Sequence, residues 1–382
     1  MILIVASFQK ATAFSKKELG MLRNLFLLAL GCFGCNGVYA QENAPSPQLL
    51  VDGKFLYNEY AGCASCHGED GKGQVEGVTL DPPPPDLTDC SFNSREPRRD
   101  WRDVINHGGQ ARGLSMSMPA YGEALTPEQV EASIAYLKKF CTESGWPSGE
   151  LNFRRAQLTA KAFPENEALL IPNYTRGASH AAATKFVYER RFGKRAQWEV
   201  SVPFIAEWQS PNARGLGDVE LSAKYVLAHN ARAQTILSGG VEAALPTGET
   251  ALGLGRGTWK LSPYLAAGKG FERLTLQSSL KLEQPLQSEH GAGELFFNLA
   301  LTLPLTQEKK GLFPMLEANG VKNLESGATQ WLLTPQLYLG LVRRGHVALS
   351  FGGQIPVSGA RPFDYRLVSF FLWEYGDGGL WW

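Results

Sequence analysis

Beyond its first 40 residues, this chain of 382 has no apolar run near the ~20 residues that a spanning helix needs, which argues against a helical membrane protein. Charge is scarce at 19% of residues. It is also balanced, with 37 basic residues against 37 acidic, so nothing points to nucleic acid. Six histidines, six cysteines and five methionines leave few candidates for metal chemistry. No G-x-S-x-G, H-E-x-x-H or P-loop motif occurs in the second half, and the reading is of a non-enzyme. Hydrophobic residues at 44% and aromatics at 11% exclude a disordered or fibrous chain, and the length predicts two domains or one large one.

The zero net charge is unevenly spread. Residues 1–40 carry +3, residues 41–150 carry −8 and residues 151–382 carry +5. An acidic middle and a mildly basic remainder read as different domains.

Residues 21–40 read as an export signal. Arg23 gives the basic start, Leu25 to Phe33 the apolar stretch, and Val38-Tyr39-Ala40 a small-residue cleavage site, with Met21 an alternative start. A lipidated anchor at Cys32 is the competing reading. Cleavage after Ala40 leaves Cys63, Cys66, Cys90 and Cys141 in an oxidising compartment.

Cys63-Ala64-Ser65-Cys66-His67 is C-x-x-C-H, the attachment signature of c-type haem. Two thiols three residues apart on one turn can each form a thioether with a haem vinyl group, and the adjacent histidine then stands under the iron. A redox C-x-x-C or half a zinc site is the bland alternative, but no second ligand pair lies nearby. Leu50, Phe55, Leu56 and Tyr60 suggest a short amphipathic helix leading into the turn. Gly68 to Gly73 reads as a flexible loop, and a carbonyl of the run Pro82 to Pro85 as an acceptor for His67 Nδ1–H. For the sixth ligand, Met118-Pro119-Ala120-Tyr121-Gly122 is the leading candidate, with Met116 and His107 as rivals. Thr126, Pro127 and Gln129 mark a capped helix, with Val130, Ile134, Leu137 and Cys141 on one face.

On C-x-x-C-H, G-E-D-G-K-G and M-P-A-Y-G, in that order, residues 47–142 resemble a class I cytochrome c domain. The resemblance implies one covalently attached haem c, bound through Cys63 and Cys66, with His67 and Met118 as iron ligands. Cys90 and Cys141 then remain, for which a disulfide is the natural reading and two buried thiols the alternative.

Residues 145–166, punctuated by Gly145, Pro147, Gly149 and Pro164, read as a connector. After about residue 180 the period becomes two. Leu276, Leu280 and Leu282 alternate with Gln277, Ser279 and Lys281, and Leu221, Tyr225 and Leu227 with Glu220, Ser222 and Lys224. Runs of 10–14 residues exceed ordinary soluble strands and suit a tilted membrane strand. About eleven are visible, so an even antiparallel barrel of 10–12 strands is expected, with a soluble all-β domain as the alternative. The closing Trp381-Trp382 favours the membrane.

Gly215-Leu216-Gly217-Asp218, Lys224-Tyr225 and Leu245-Pro246-Thr247-Gly248 resemble barrels of the phenol-degradation-pathway transporter family, and the whole chain is similar to bacterial cytochrome–porin fusions. The expected organisation is a signal at 1–40, an all-α cytochrome domain at 41–144, a linker at 145–166 and an outer-membrane β-barrel at 167–382. The expected function is electron transfer at or across the outer membrane, with the cytochrome on the periplasmic side. Its partners would be a periplasmic or extracellular redox protein or a soluble donor or acceptor. The alternative is a channel for a small solute with the cytochrome as redox partner or sensor. Catalysis at the haem is disfavoured, since His/Met ligation closes both axial positions.

Overall fold

The computed structural model describes residues 46–376, apart from 178–179, 209–211, 273, 288–291 and 307–308. The export segment and Trp381-Trp382 lie outside the described residues.

The first domain is helical: α1 (Pro47–Phe55), α2 (Ala64–His67), α3 (Cys90–Asn93), α4 (Arg98–His107) and α5 (Pro127–Leu137). Ser46 caps α1 through Leu49 N–H, with Pro47 in the first turn. Thr126 and Gln129 form the expected capping box on α5. Leu56, Tyr57, Ile105, Val130, Ile134 and Leu137 make the core. Two details differ from expectation. Phe55 and Tyr60 are exposed, because α1 widens into a π turn over Leu56–Tyr60 that rotates Leu56 and Tyr57 inward instead. Cys141 is not on the helix, which ends at Leu137 and passes through a 3-10 turn. From there Cys141 reaches Cys90, and the two are disulfide-bonded.

The second domain is a barrel of twelve long strands. They are β1 (Glu167–Arg176), β2 (His180–Phe192), β3 (Ala196–Trp208), β5 (Val219–Asn230), β6 (Thr235–Leu245), β7 (Lys260–Gly270), β8 (Thr275–Pro285), β9 (Glu294–Thr302), β10 (Gly311–Asn323), β11 (Thr329–Gly340), β12 (Val347–Ser358) and β13 (Tyr365–Glu374). A short β4 (Ala213–Leu216) pairs on the end of β3. Neighbours in sequence pair antiparallel, and β1 pairs with both β2 and β13, so the sheet closes.

The alternation resolves the choice between membrane and soluble barrel. Leu221, Tyr225, Leu227, Phe351, Ile355 and Leu367 stand exposed on the outside. Glu189, Gln197, Ser238, Gln277, Glu317 and Gln354 are buried within. A soluble barrel would invert this pattern, so the domain spans a membrane. Trp198 and Trp208 face outward ten residues apart on β3. With a tilt near 40° that separation is about 25 Å across the membrane, the height of an apolar band between aromatic girdles. Tyr188, Trp198, Tyr375 and Trp373 form contacting pairs in one girdle.

All connections at the end where β1 begins are short: 193–195, 231–234, 271–274, 303–310 and 341–346. The longest, 209–218 and 246–259, lie at the other end.

In lipid vesicles, a cysteine replacing Leu276 is expected to resist a water-soluble maleimide until detergent is added, whereas one replacing Lys281 labels directly. The reverse order would put the leucine face in water and return the domain to the soluble alternative.

Candidate redox centre and barrel interior

The C-x-x-C-H segment folds as one helical turn. Cys63 caps it, and its carbonyl accepts from His67 N–H at 3.0 Å. Cys63, Cys66 and His67 are all partly buried, and both thiols are free. Tyr57 Oη donates to Gly68 O at 2.6 Å from inside the core, clamping the exit of the turn. The following loop is packed rather than free. Gly73 has a positive φ of 69°, and a Cβ there would lie 2.5 Å from Pro84 O.

The expected acceptor for His67 does not form. His67 Nδ1 is buried with no hydrogen-bond partner among the described residues. Burial pushes the imidazole pKa below its ordinary value, so the ring is neutral at physiological pH and keeps a lone pair for a metal. Burial likewise raises the Cys63 thiol above its ordinary range. A cavity of about 440 Å³ borders Cys66, walled by the 73–80 loop, Pro83 and Pro84. Two unpaired thiols, a neutral imidazole with an unmet polar atom and an adjoining cavity fit a covalently held haem.

The Met118 loop is pinned at both sides. Met118 O accepts from Gly109 N–H at 3.0 Å, and Tyr121 N–H donates to Ile105 O at 2.8 Å, fastening the loop to the end of α4. Tyr121 Oη donates to Ala61 O at 3.0 Å, and its ring packs in the same cluster as Cys63 and Ala64. Burial raises the Tyr121 phenol, so it remains a donor. Met118 is half-buried, Met116 is 79% exposed and His107 is exposed. A thioether ligand must be withdrawn from water, which favours Met118 over its rivals.

Residues 149–166 give the largest departure from expectation. Read as a linker, they dip into the barrel and fill the half of its lumen nearest the first domain. Leu151, Phe153, Ala162 and Phe163 pack against Val226, Ile236 and Ala266 of the wall. At the tip, the fully buried Glu317 accepts from Gln157 N–H at 2.8 Å, Thr159 N–H at 2.8 Å, Thr159 Oγ1 at 2.7 Å and Leu158 N–H. Lys224 Nζ donates to the carbonyls of Lys161 and Phe163, and Ser238 Oγ to that of Ala162. Arg155 bridges Glu167 and Glu189 at 3.0 and 2.6 Å, and Lys161 bridges Glu165 and Glu167 at 2.7 and 3.1 Å. Polar backbone inside the tube is thereby paired with wall side chains. The sequence carried a signal of this: apolar Leu151, Phe153 and Phe163 interleaved with Arg154, Arg155 and Lys161 suit a buried segment better than a solvated tether.

The helical domain sits on that same mouth. Asp100, buried, meets Arg112 at 2.7 Å and Lys309 of the β9–β10 turn at 2.5 Å. Lys194 meets Glu143 at 3.2 Å, and Arg195 Nε donates to Gly145 O at 2.7 Å. At the entry to the plug, Gly149 N–H donates to Ser94 O and Arg98 N–H to Glu150 Oε1. A Cβ on Gly149 would stand 1.7 Å from Arg95 O, so only glycine permits this approach.

Residues 48–137 match the family model described as "Cytochrome C oxidase, cbb3-type, subunit III". No curated protein matches the chain. Among solved structures, the COG4313 outer membrane channel from Pseudomonas putida F1 is 13% identical, with a TM-score of 0.44 over 58% of this chain and 99% of that one. The KdgM and NanC porins are each 10% identical, with TM-scores of 0.38 over 54% of this chain and 98% of theirs. The chain therefore joins a cytochrome c domain, which implies haem c, to a closed twelve-stranded barrel.

Asp100→Ala leaves Arg112 buried with only Asp103 and frees Lys309. Removing one partner of a buried ion pair typically costs about 3–5 kcal/mol, an upper bound here because Lys309 is partly solvated. The helical domain is expected to unfold earlier and the Glu143–Ser144 bond of the junction to become sensitive to a glutamate-specific protease. An unchanged digestion pattern would show that this contact does not secure the two domains.

Proposed function

We propose that this protein is a monohaem c-type cytochrome that carries electrons at the outer membrane, held by its barrel at the periplasmic mouth. The observation that supports the reading is that the domain holding the C-x-x-C-H turn and the Met118 loop is fastened, through Asp100, Glu143 and Gly145, to the end of a barrel whose near half is filled by its own chain. The apolar outer belt supports the outer membrane as the location, and the short connections at the cytochrome end support the periplasmic side, where barrels of this kind keep their short turns.

Haem c bound here supplies reversible one-electron exchange at its iron. Cys63 and Cys66 hold it by thioethers from one helical turn. His67, kept neutral by burial, gives the nitrogen ligand, and Met118, positioned through Tyr121 and Gly109, gives the sulfur. A closed coordination shell suits outer-sphere transfer rather than turnover of a bound substrate. The domain's net charge is acidic, and on α4 Arg98 and Arg102 pair with Glu131 and Arg99 with Asp100.

The reach of this centre is set by the membrane. One haem at one mouth stands across an apolar band of about 25 Å, and the plug blocks small carriers from approaching through the lumen. Transfer along the periplasmic face is therefore the primary activity, and transfer across the membrane requires a partner that brings its own centre. In oriented liposomes, ascorbate added on the cytochrome side is expected to reduce all the haem, and ferricyanide trapped inside to leave it reduced. Reoxidation from the inside would overturn this and make the protein a transmembrane conductor by itself.

The ligand set has its own test. His67→Ala or Cys66→Ala is expected to remove the haem spectrum while the barrel still assembles. Met118→His is expected to abolish the long-wavelength sulfur-to-iron band, lower the potential and keep the haem attached. Met116→Leu is expected to leave all three unchanged. A band lost with Met116→Leu and kept with Met118→His would move the ligand two residues upstream.

A further inference from the structure

The near half of the lumen holds wall carboxylates that the plug answers. Glu167, Glu189 and Glu317 project inward from β1, β2 and β10 and are at most 1% exposed. Arg155 and Lys161 supply cations to the first two, and the amides of 157–159 surround the third. The wall's own Lys224 hydrogen-bonds plug carbonyls. Further out, Glu199, Glu220, Glu242 and Glu283 face the lumen with Lys185, Lys260 and Lys281 among them, an excess of one acid.

We propose that the barrel is a gated, cation-selective pore, with residues 149–166 as its gate and the Glu317 carboxylate as the latch. The wall under the plug is mixed: Val226, Ile236 and Ala266 pack on Leu151, Phe153, Ala162 and Phe163, and Phe313 lies under Arg154. That wall also offers Gln197, Ser238, Gln277, Ser279 and Asn298, which hydrogen-bond the plug's backbone groups. Water can take over each of those bonds, so the plug can leave without stranding polar groups. The carboxylates then left in a narrow low-dielectric tube concentrate cations and repel anions. The path also continues beyond the mouth. A cavity of about 600 Å³, lined by Arg99, Arg154, Lys309, Tyr338 and Leu372, lies between α4 and the barrel, so the cytochrome is not itself the stopper.

The test uses the full-length protein in planar bilayers under a tenfold KCl gradient. Wild type is expected to be nearly silent. Glu317→Gln, which weakens the latch by one charge, is expected to open at least tenfold more often, with a reversal potential on the K⁺ side. A Leu158→Cys/Asn298→Cys pair in the Glu317→Gln background, placed where Asn298 Nδ2 meets Leu158 O, is expected to silence the pore on oxidation, while either single cysteine does not. Should Glu317→Gln fail to give a heat-modifiable barrel, Thr159→Val removes a latch donor from the plug alone and is held to the same expectations. Wild type conducting as freely as the variants, a folded variant as silent as wild type, Cl⁻ selectivity, or openings that survive the cross-link would each overturn the proposal. The readout is ionic current and needs no electron carrier, so its failure is distinguishable from failure of the haem and ligand tests.

Discussion

The pairing of β1 with β13 is the constraint on which the rest depends. A strand in hydrocarbon has no water for its backbone groups, so a membrane sheet must close, and here the first and last strands supply the seam. Closure sets Glu167 directly opposite Glu374, and Glu165 stands close enough that one carboxylate oxygen of each lies within 4.8 Å of the others. Three acids at one seam would oppose closure. Lys161 relieves them with an ammonium 2.7 Å from Glu165 and 3.1 Å from Glu167, and Arg155 adds a second cation. The seam and the plug are thus one electrostatic unit.

That unit dictates where the redox domain sits. Because the barrel closes on itself, the chain enters and leaves at the same end, and the segment that must balance the seam is the one leaving the cytochrome. The helical domain is left no place but this mouth, where Asp100, Arg195 and Gly149 meet it. Fixed there, its centre faces one aqueous compartment, which is why its chemistry reads as transfer along a membrane surface.

Most of the site was legible in the sequence because its determinants are local. C-x-x-C-H acts within one helical turn, the Thr126–Gln129 box within four residues, and alternation within one strand, so each is visible without knowing the fold. The even closed barrel followed from strand length and lipid chemistry, and the twelve strands fall at the upper end of the expected range. What escaped reading is non-local. Phe55 and Tyr60 stand exposed because a π turn shifts the helical phase by a fraction of a turn. Whether a proline carbonyl meets His67 depends on how the 68–85 loop folds back, which no local motif encodes. The plug has no period of its own, since its conformation is set by Glu317, Lys224 and Gln277, which lie between 61 and 160 residues away in the chain.

The plug also ties the two halves mechanically. Gly149 sits so close to Arg95 O that this residue cannot separate from the cytochrome without breaking its bond to Ser94, and Glu150 is held by the first amide of α4. A few residues on, the same strand of chain is fastened to the wall by Arg155 and Glu317. Any displacement of the helical domain that breaks Asp100–Lys309 therefore pulls first on Leu151 and Phe153, which hold the plug by apolar packing alone. Those contacts lack the charge pairs further in, so strain from the redox domain would be felt at the mouth before it reached the Glu317 latch. Loosening would therefore begin at the cytochrome end.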